Sequence, residues 1–278
     1  MKYARRQQIC TLNIHYANFT LDYFLDCQQK LGVENVELLA GHQGLWLDHK
    51  GFEPTAPIRR KLEARGIKAP VITPENCGFA YQFASQEKDQ FEHSFQYFAN
   101  GIRMGAELGS TLMEANPGWG YAEESFEEVT KRAVEMFQRL CEVADEYNVT
   151  IACETLRPQE SKTGDTLPKL KTLFDRVNHP RFKVMIDTCA MGVAGESIQD
   201  WFDTFGTENI VHTHFIDGNP YGHLVWGDGN HNLAKYLKAL KDNGYTGLLS
   251  QELTDDPYYS DPFFYDQRNM KNLLRYME

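Results

Sequence analysis

Four short apolar runs in the C-terminal half of this chain each end on a residue able to hold a metal ion. VTIACE reaches Glu154, FKVMID reaches Asp187, NIVHTHF carries His212 and His214, and GLLSQE reaches Glu252. A charge at the end of such a run is costly to bury unless it is paired or bound to a cation. One acidic strand end alone is ordinarily a salt bridge or a helix cap. Glu, Asp, His and Glu in succession make a mostly oxygen donor set with one imidazole. That set suits a single divalent cation, Mn²⁺ or Mg²⁺ first, with Co²⁺ or Zn²⁺ less specific; all-oxygen Ca²⁺ and thiolate zinc fit it poorly. His212 and His214 differ by two and so share one strand face. His214 lies nearer the end of its run and is the expected ligand. His212 reads as a deeper residue or as a partner of the ligand.

Weaker candidates lie on the connecting loops. They are Glu75 in TPENCG, Glu160 in ETLRPQES, and His223 ahead of the WGDGN turn at 226–230; for each, a solvated loop residue is an equal reading. Trp46, Phe79, Tyr81, Trp119 and Tyr121 could stack on a substrate or pack their own loops. GHQG and NPGWG lack the spacing of phosphate-binding loops. No GxSxG, no HExxH and no motif-placed Cys–His pair supports a covalent mechanism.

For the four ligands to meet, their runs must be neighbouring parallel strands. Eight apolar runs, at 9–14, 35–39, 67–72, 111–115, 149–154, 182–187, 209–215 and 247–252, alternate with segments of helical period. Those segments fall at about 19–31, 56–65, 86–107, 126–147, 166–177, 197–205, 231–243 and 264–277. In 126–147 the residues Phe126, Val129, Ala133, Met136, Phe137, Leu140 and Ala144 form one stripe, and Ser125 with Glu128 reads as a capping box. Gly32, Gly66, Gly109 and Gly244 sit just past four helices. Alternating strand and helix predicts a parallel sheet, and eight repeats predict closure into one (β/α)8 barrel spanning 1–278. The length of 278 residues is close to the ~250 typical of that fold, whose chemistry gathers at C-terminal strand ends. An open doubly wound sheet would carry a glycine-rich turn after its first strand; residues 11–22 have none. Adjacent strands lie ~4.8 Å apart, so four consecutive ends meet in one place.

The net charge of −11 disfavours phosphate backbones and anionic lipid, so neither nucleic acid nor a membrane is an expected partner. The six cysteines are scattered; Cys10, Cys153 and Cys189 read as small buried hydrophobes rather than disulfide partners. The opening MKYARRQQIC lacks the apolar stretch of a signal peptide, and no run approaches the ~18 residues of a membrane span. The expected compartment is cytoplasmic.

The segments TPENCGFAY (73–81), ETLRPQES (154–161), HPRFKVMIDTCA (179–190), HTHFID (212–217), GDG (227–229) and GYTGLLSQEL (244–253) occur in an order and spacing that resemble the xylose isomerase-like metal barrels. Within these, the chain resembles the ketose 3-epimerase group and its fructoselysine 3-epimerase branch. The resemblance implies an isomerase that inverts C3 of a ketose or sugar-amine through an enediolate. It places the metal on Glu154, Asp187, His214 and Glu252, makes Glu154 and Glu252 the acid–base pair, and matches a further family Glu to Glu160. It also implies a small-molecule substrate and a homo-oligomer. Two positions depart from the pattern of enzymes acting on plain sugars. The His they often carry three residues after the Asp ligand is Ala190 here, and the Arg they often carry six after the His ligand is Pro220. Both departures favour a substituted ketose such as fructoselysine. The alternatives on the same barrel are a sugar isomerase, a dehydroshikimate dehydratase-type lyase and an abasic-site endonuclease. The last needs further His and acidic ligands, for which His15, Glu37, His42 and Glu114 are only scattered candidates.

Overall fold

The computed structural model describes residues 1–41, 44–78 and 80–278. Eight strands carry the fold: β1 Ile9–Leu12, β2 Asn35–Ala40, β3 Lys68–Pro74, β4 Leu112–Ala115, β5 Thr150–Glu154, β6 Phe182–Asp187, β7 Ile210–His214 and β8 Leu249–Gln251. They hydrogen-bond in the order β1-β8-β7-β6-β5-β4-β3-β2 and close as a barrel. The registers are parallel, for instance Thr11 opposite Gln251, and Glu154 opposite Met185. Strands covered on both faces should be apolar nearly throughout; every residue of β1 is buried, as is all of β6 but Lys183.

The helices are α1 Leu21–Leu31, α2 Thr55–Glu63, α3 Lys88–Leu108, α4 Phe126–Glu146, α5 Leu167–Val177, α6 Thr188–Val193, α7 Ile198–Phe205, α8 Leu233–Asp242 and α9 Pro262–Leu273. Gly32 and Gly109 end α1 and α3 with φ of +66° and +90°, the left-handed turn that a side chain would strain. The α4 stripe is buried from Val129 to Ala144, with Phe126 half-buried. Its cap is half of a capping box: Ser125 accepts from the Glu128 amide, while its hydroxyl donates to the Glu128 carboxylate.

Contacts gather the chain into two compact units. Met1–Leu38, Pro57–Ala69 and Ile186–Glu278 form one. Within it, Asp266 on α9 is buried and accepts from Tyr16 Oη at 2.6 Å and Gln28 Nε2 at 2.8 Å, with His15 Nε2 2.9 Å away. That carboxylate ties the turn after β1 to α9. Leu39–Ala56 and Pro70–Met185 form the other unit. Here Phe83 stacks on Phe98 and Phe137, and Arg139 lies over Phe95 while pairing with Glu92.

Three departures from the sequence reading bear on the site. Strand β8 stops at Gln251, so Glu252 is the first residue beyond it. A two-residue ribbon pairs Leu47–Asp48 with Gly51–Phe52. Helix α6 starts directly after β6, its first turn capped by Asp187, whose Oδ1 accepts from the Ala190 amide at 2.8 Å.

Candidate metal centre

Asp187, His214 and Glu252 stand at or just past the ends of β6, β7 and β8. Glu252 Oε2 lies 3.1 Å from His214 Nδ1. His223 joins them from the loop after β7, with Nδ1 3.4 Å from Glu252 Oε2 and Nε2 3.5 Å from Asp187 Oδ2. One ligand atom from each of Asp187, His214 and Glu252 lies within 4.8 Å of the other two. Of the four residues singled out from their strand ends, these three meet within one unit; Glu154, the last residue of β5, belongs to the other.

The electrostatics favour a cation. Burial and the neighbouring Glu252 charge push the Asp187 carboxyl up, against the pull of His223 and His214. Burial also works to raise Glu252, but His214 and His223 outweigh it and hold that carboxyl well below the usual range. Glu252 Oε2 makes no aligned hydrogen bond despite its two close imidazoles, and neither does His223 Nδ1. Crowded carboxylates with a buried, unsatisfied oxygen are what a divalent ion would relieve, and carboxylate oxygens with one imidazole are suitable ligands.

Beneath this cluster lies a residue that the sequence reading left among scattered candidates. Glu37, in mid-β2, is fully buried. Its Oε2 accepts from Ser250 Oγ at 2.5 Å and lies 2.9 Å from His212 Nε2; its Oε1 lies 3.2 Å from His214 Nε2. Burial works to raise this carboxyl, but His214 and His212 hold it well below the ordinary range. The available signal was an acid inside the apolar run NVELL, where a charge requires a partner.

Asp217 was also missed. Its Oδ1 accepts from the Gly218 and His231 amides, both at 2.9 Å, and its Oδ2 from the Gly227 and Gly229 amides at 2.8 and 3.0 Å. The GDG turn is wound round this carboxylate. A Cβ on Gly229 would fall 2.4 Å from Asp217 Oδ1, which is why glycine stands there. Asp217 and Leu224 also exchange both backbone hydrogen bonds, closing the segment that carries His223.

Glu160, Glu75 and Glu114 have partners of their own. Glu160 is clamped by Arg157, whose Nε donates to Oε2 at 2.8 Å. Glu75 Oε1 accepts from the Cys77 and Gly78 amides of its own loop. Glu114 accepts from Asn76 Nδ2. Trp46 is exposed, and Tyr81 stacks on Tyr97. Phe79, and His42 of GHQG, lie outside the described residues. The second unit holds a cavity of about 470 Å³, with Asn76, Asn116, Trp119, Leu156, Gln159 and Lys162 in its wall. Leu156 is two residues beyond Glu154, so the cavity opens beside the end of β5. Its charged groups are compensated: Lys169 pairs with Asp165, Glu160 with Arg157, and Lys162 donates to the carbonyls of Tyr121, Ala122 and Glu124.

Known proteins agree with this architecture. The family model described as xylose isomerase-like TIM barrel matches residues 27–277. A fructoselysine 3-epimerase of Shigella flexneri is 27% identical over 226 residues, which is 76% of this chain and 77% of the relative. A solved D-allulose 3-epimerase from Methylomonas sp. superposes with a TM-score of 0.81 at 16% identity, covering 100% of both chains. The IOLI protein, solved with a zinc atom bound, superposes at 0.79 with 19% identity over 98% of this chain and 99% of that one. This chain therefore belongs to the xylose isomerase-like TIM barrel family.

Proposed function

We propose that this chain is a divalent-metal-dependent 3-epimerase acting on a ketose that bears a substituent, of the fructoselysine type. One observation carries the reading: two carboxylates, Asp187 and Glu252, crowd against the His214 and His223 imidazoles at neighbouring strand ends. Glu154, Asp187, His214 and Glu252 would hold the ion, with Mn²⁺ favoured. When bound, it would supply Lewis-acid polarisation of the substrate's carbonyl and so lower the barrier to loss of the C3 proton.

The chain's own groups perform the proton chemistry. One of Glu154 and Glu252 takes the C3 proton, giving the enediolate, and the other returns a proton to the opposite face. Glu252 suits the role of base at the outset because His214 and His223 keep it ionised. The His223 imidazole, close to Asp187 and Glu252, would give a hydrogen bond to a substrate oxygen. Glu160 meets the substrate only as part of the cavity wall, held by Arg157. Glu75 is committed to its own loop and is left out of the binding set.

The cavity beside Glu154 supports the substituted ketose. Its wall includes Leu156, two residues beyond Glu154, and we assign that room to the substituent. A panel of fructosamines and free ketoses, run with Mn²⁺ and with chelator in heavy water, tests the reading. Expected is Mn²⁺-dependent turnover of a fructosamine with deuterium at C3. Turnover without incorporation would sink the proton-transfer scheme; deuterium at C1 would identify a carbonyl-shifting isomerase instead. Glu252→Gln should lower the rate at least ~100-fold, the low end for general acid–base catalysis.

A further inference from the structure

We propose that Asn269 is a positioning residue: its side-chain amide closes a hydrogen-bonded strap that joins the segments carrying His214 and Glu252 and so sets their spacing. This rests on the reading of those two residues as metal ligands.

Glu252 is the first residue beyond a strand of only three, which meets β7 in the register Ser250 opposite His214. Side chains alternate along a strand, so Ser250 and Glu252 share one side and Gln251 takes the other. Ser250 turns to Glu37, and Gln251 turns to α9. Gln251 Nε2 donates to the Leu249 carbonyl at 2.8 Å, which leaves Oε1 to accept from Asn269 Nδ2 at 2.7 Å. The oxygen of the same Asn269 amide accepts from the Trp226 backbone amide at 2.9 Å. Helix α9 grips Trp226 a second time, through Asn272 Nδ2 at its carbonyl, and the Trp226 indole donates to the Phe215 carbonyl at 3.0 Å. Phe215 follows His214, and Gln251 precedes Glu252. The strap thus runs from beside one ligand to beside the other.

A primary amide is required at its centre. One short side chain must offer an acceptor to Trp226 and a donor to Gln251; aspartate has no donor and leucine has neither. Phe215, Trp226, Gln251 and Asn269 are all buried, so no water replaces a lost bond and the stranded group bears the full cost. His214 Nδ1 and Glu252 Oε2 stand 3.1 Å apart, and a relaxed strap would let two ligands of one ion drift from each other.

Two variants cut the strap. The near-isosteric Asn269→Leu cuts it at the centre, and Gln251→Met cuts it at the β8 end while keeping both α9 bonds to Trp226. Asp266→Ala is the control, because it loosens the same helix by stranding Tyr16 and Gln28, which are no part of the strap. Calorimetric titration of the metal-stripped protein with Co²⁺ should show binding weakened by about 10-fold in both strap variants, the low end for residues that orient ligands from behind, and unchanged in the control. Without metal, the ring ¹⁵N resonances of His214 should shift in the strap variants and hold in Asp266→Ala. Wild-type Co²⁺ affinity in a folded Asn269→Leu or Gln251→Met overturns the proposal. An equal loss in Asp266→Ala also overturns it, since Asn269 would then act only by packing α9. If Asn269→Leu does not fold, Gln251→Met decides. A wild-type protein that binds no Co²⁺ would instead refute the metal-centre reading, and the His214 resonances would still judge the strap.

Discussion

Asp217→Asn tests whether one carboxylate shapes the loop that carries His223. Asp217 is buried, and each of its oxygens accepts two backbone amides. Asparagine keeps one oxygen and replaces the other with an NH₂ group. That group must face either the Gly227 and Gly229 amides or the Gly218 and His231 amides, donor against donor. Two bonds to a charged acceptor are lost, at ~1.5–3 kcal/mol each, so the expected loss is about 3 kcal/mol or more. For a protein near this size, 3 kcal/mol corresponds to about 6–12 °C in melting temperature. Calorimetry of the metal-free protein reads the global loss, and hydrogen exchange at residues 218–231 reads the local one. Turnover should fall as well, because the loop sets His223 over Asp187 and Glu252. A variant that melts within ~1 °C of the wild type and keeps its protection at Gly227 and Gly229 would refute the argument.

Other expectations follow from the same geometry. Ala122 is an exposed residue in the cavity wall; Ala122→Trp should raise KM for a fructosamine at least ~10-fold, about 1.4 kcal/mol, and spare a free ketose. Equal effects on both substrates would deny the cavity a part in selecting the substituent. Asp266→Ala strands the buried donors of Tyr16 and Gln28 and should destabilise by about 3 kcal/mol, read by denaturant unfolding. The depressed Glu37 carboxyl has a signed consequence for the metal-free protein. Its contribution is full above the unfolded value of about 4.3 and declines as pH falls below that towards the folded value. Acid titration of Glu37→Gln should accordingly show a flatter decline than the wild type over that window, and parallel curves would contradict it.

The barrel was legible because its code is local. Apolar runs such as FKVMID mark strands buried on both faces, and the stripe from Val129 to Ala144 marks a helix with one covered side. The ligand set was legible for a related reason: parallel strands bring equivalent ends together, so four polar ends predict one cluster. What could not be read depends on pairings far apart in the chain. Glu37 and His212 are separated by 175 positions, and no local pattern joins them. Asp217 resembles one more acidic strand end; only the fold reveals that it serves amides up to fourteen residues onward. Helix α6 escaped because six residues are too few for a period, and its start is set by an Asp already assigned to the metal.

The closure of the loop after β7 has a consequence for how this surface could change. Backbone bonds between Asp217 and Leu224, together with the carboxylate's hold on Gly227, Gly229 and His231, secure the loop at both roots. Asn219 to Gly222 lie between those roots, met by Asn230 Nδ2 at Asn219 Oδ1 and by Cys189 Sγ at the Pro220 carbonyl rather than by Asp217. Such a segment behaves as a replaceable cartridge. Its side chains, and with them the surroundings presented to a ligand, can be exchanged without re-solving the scaffold. Loop-swap libraries confined to 219–222 should therefore yield a high fraction of folded proteins, whereas libraries that include 217, 227 or 229 should not.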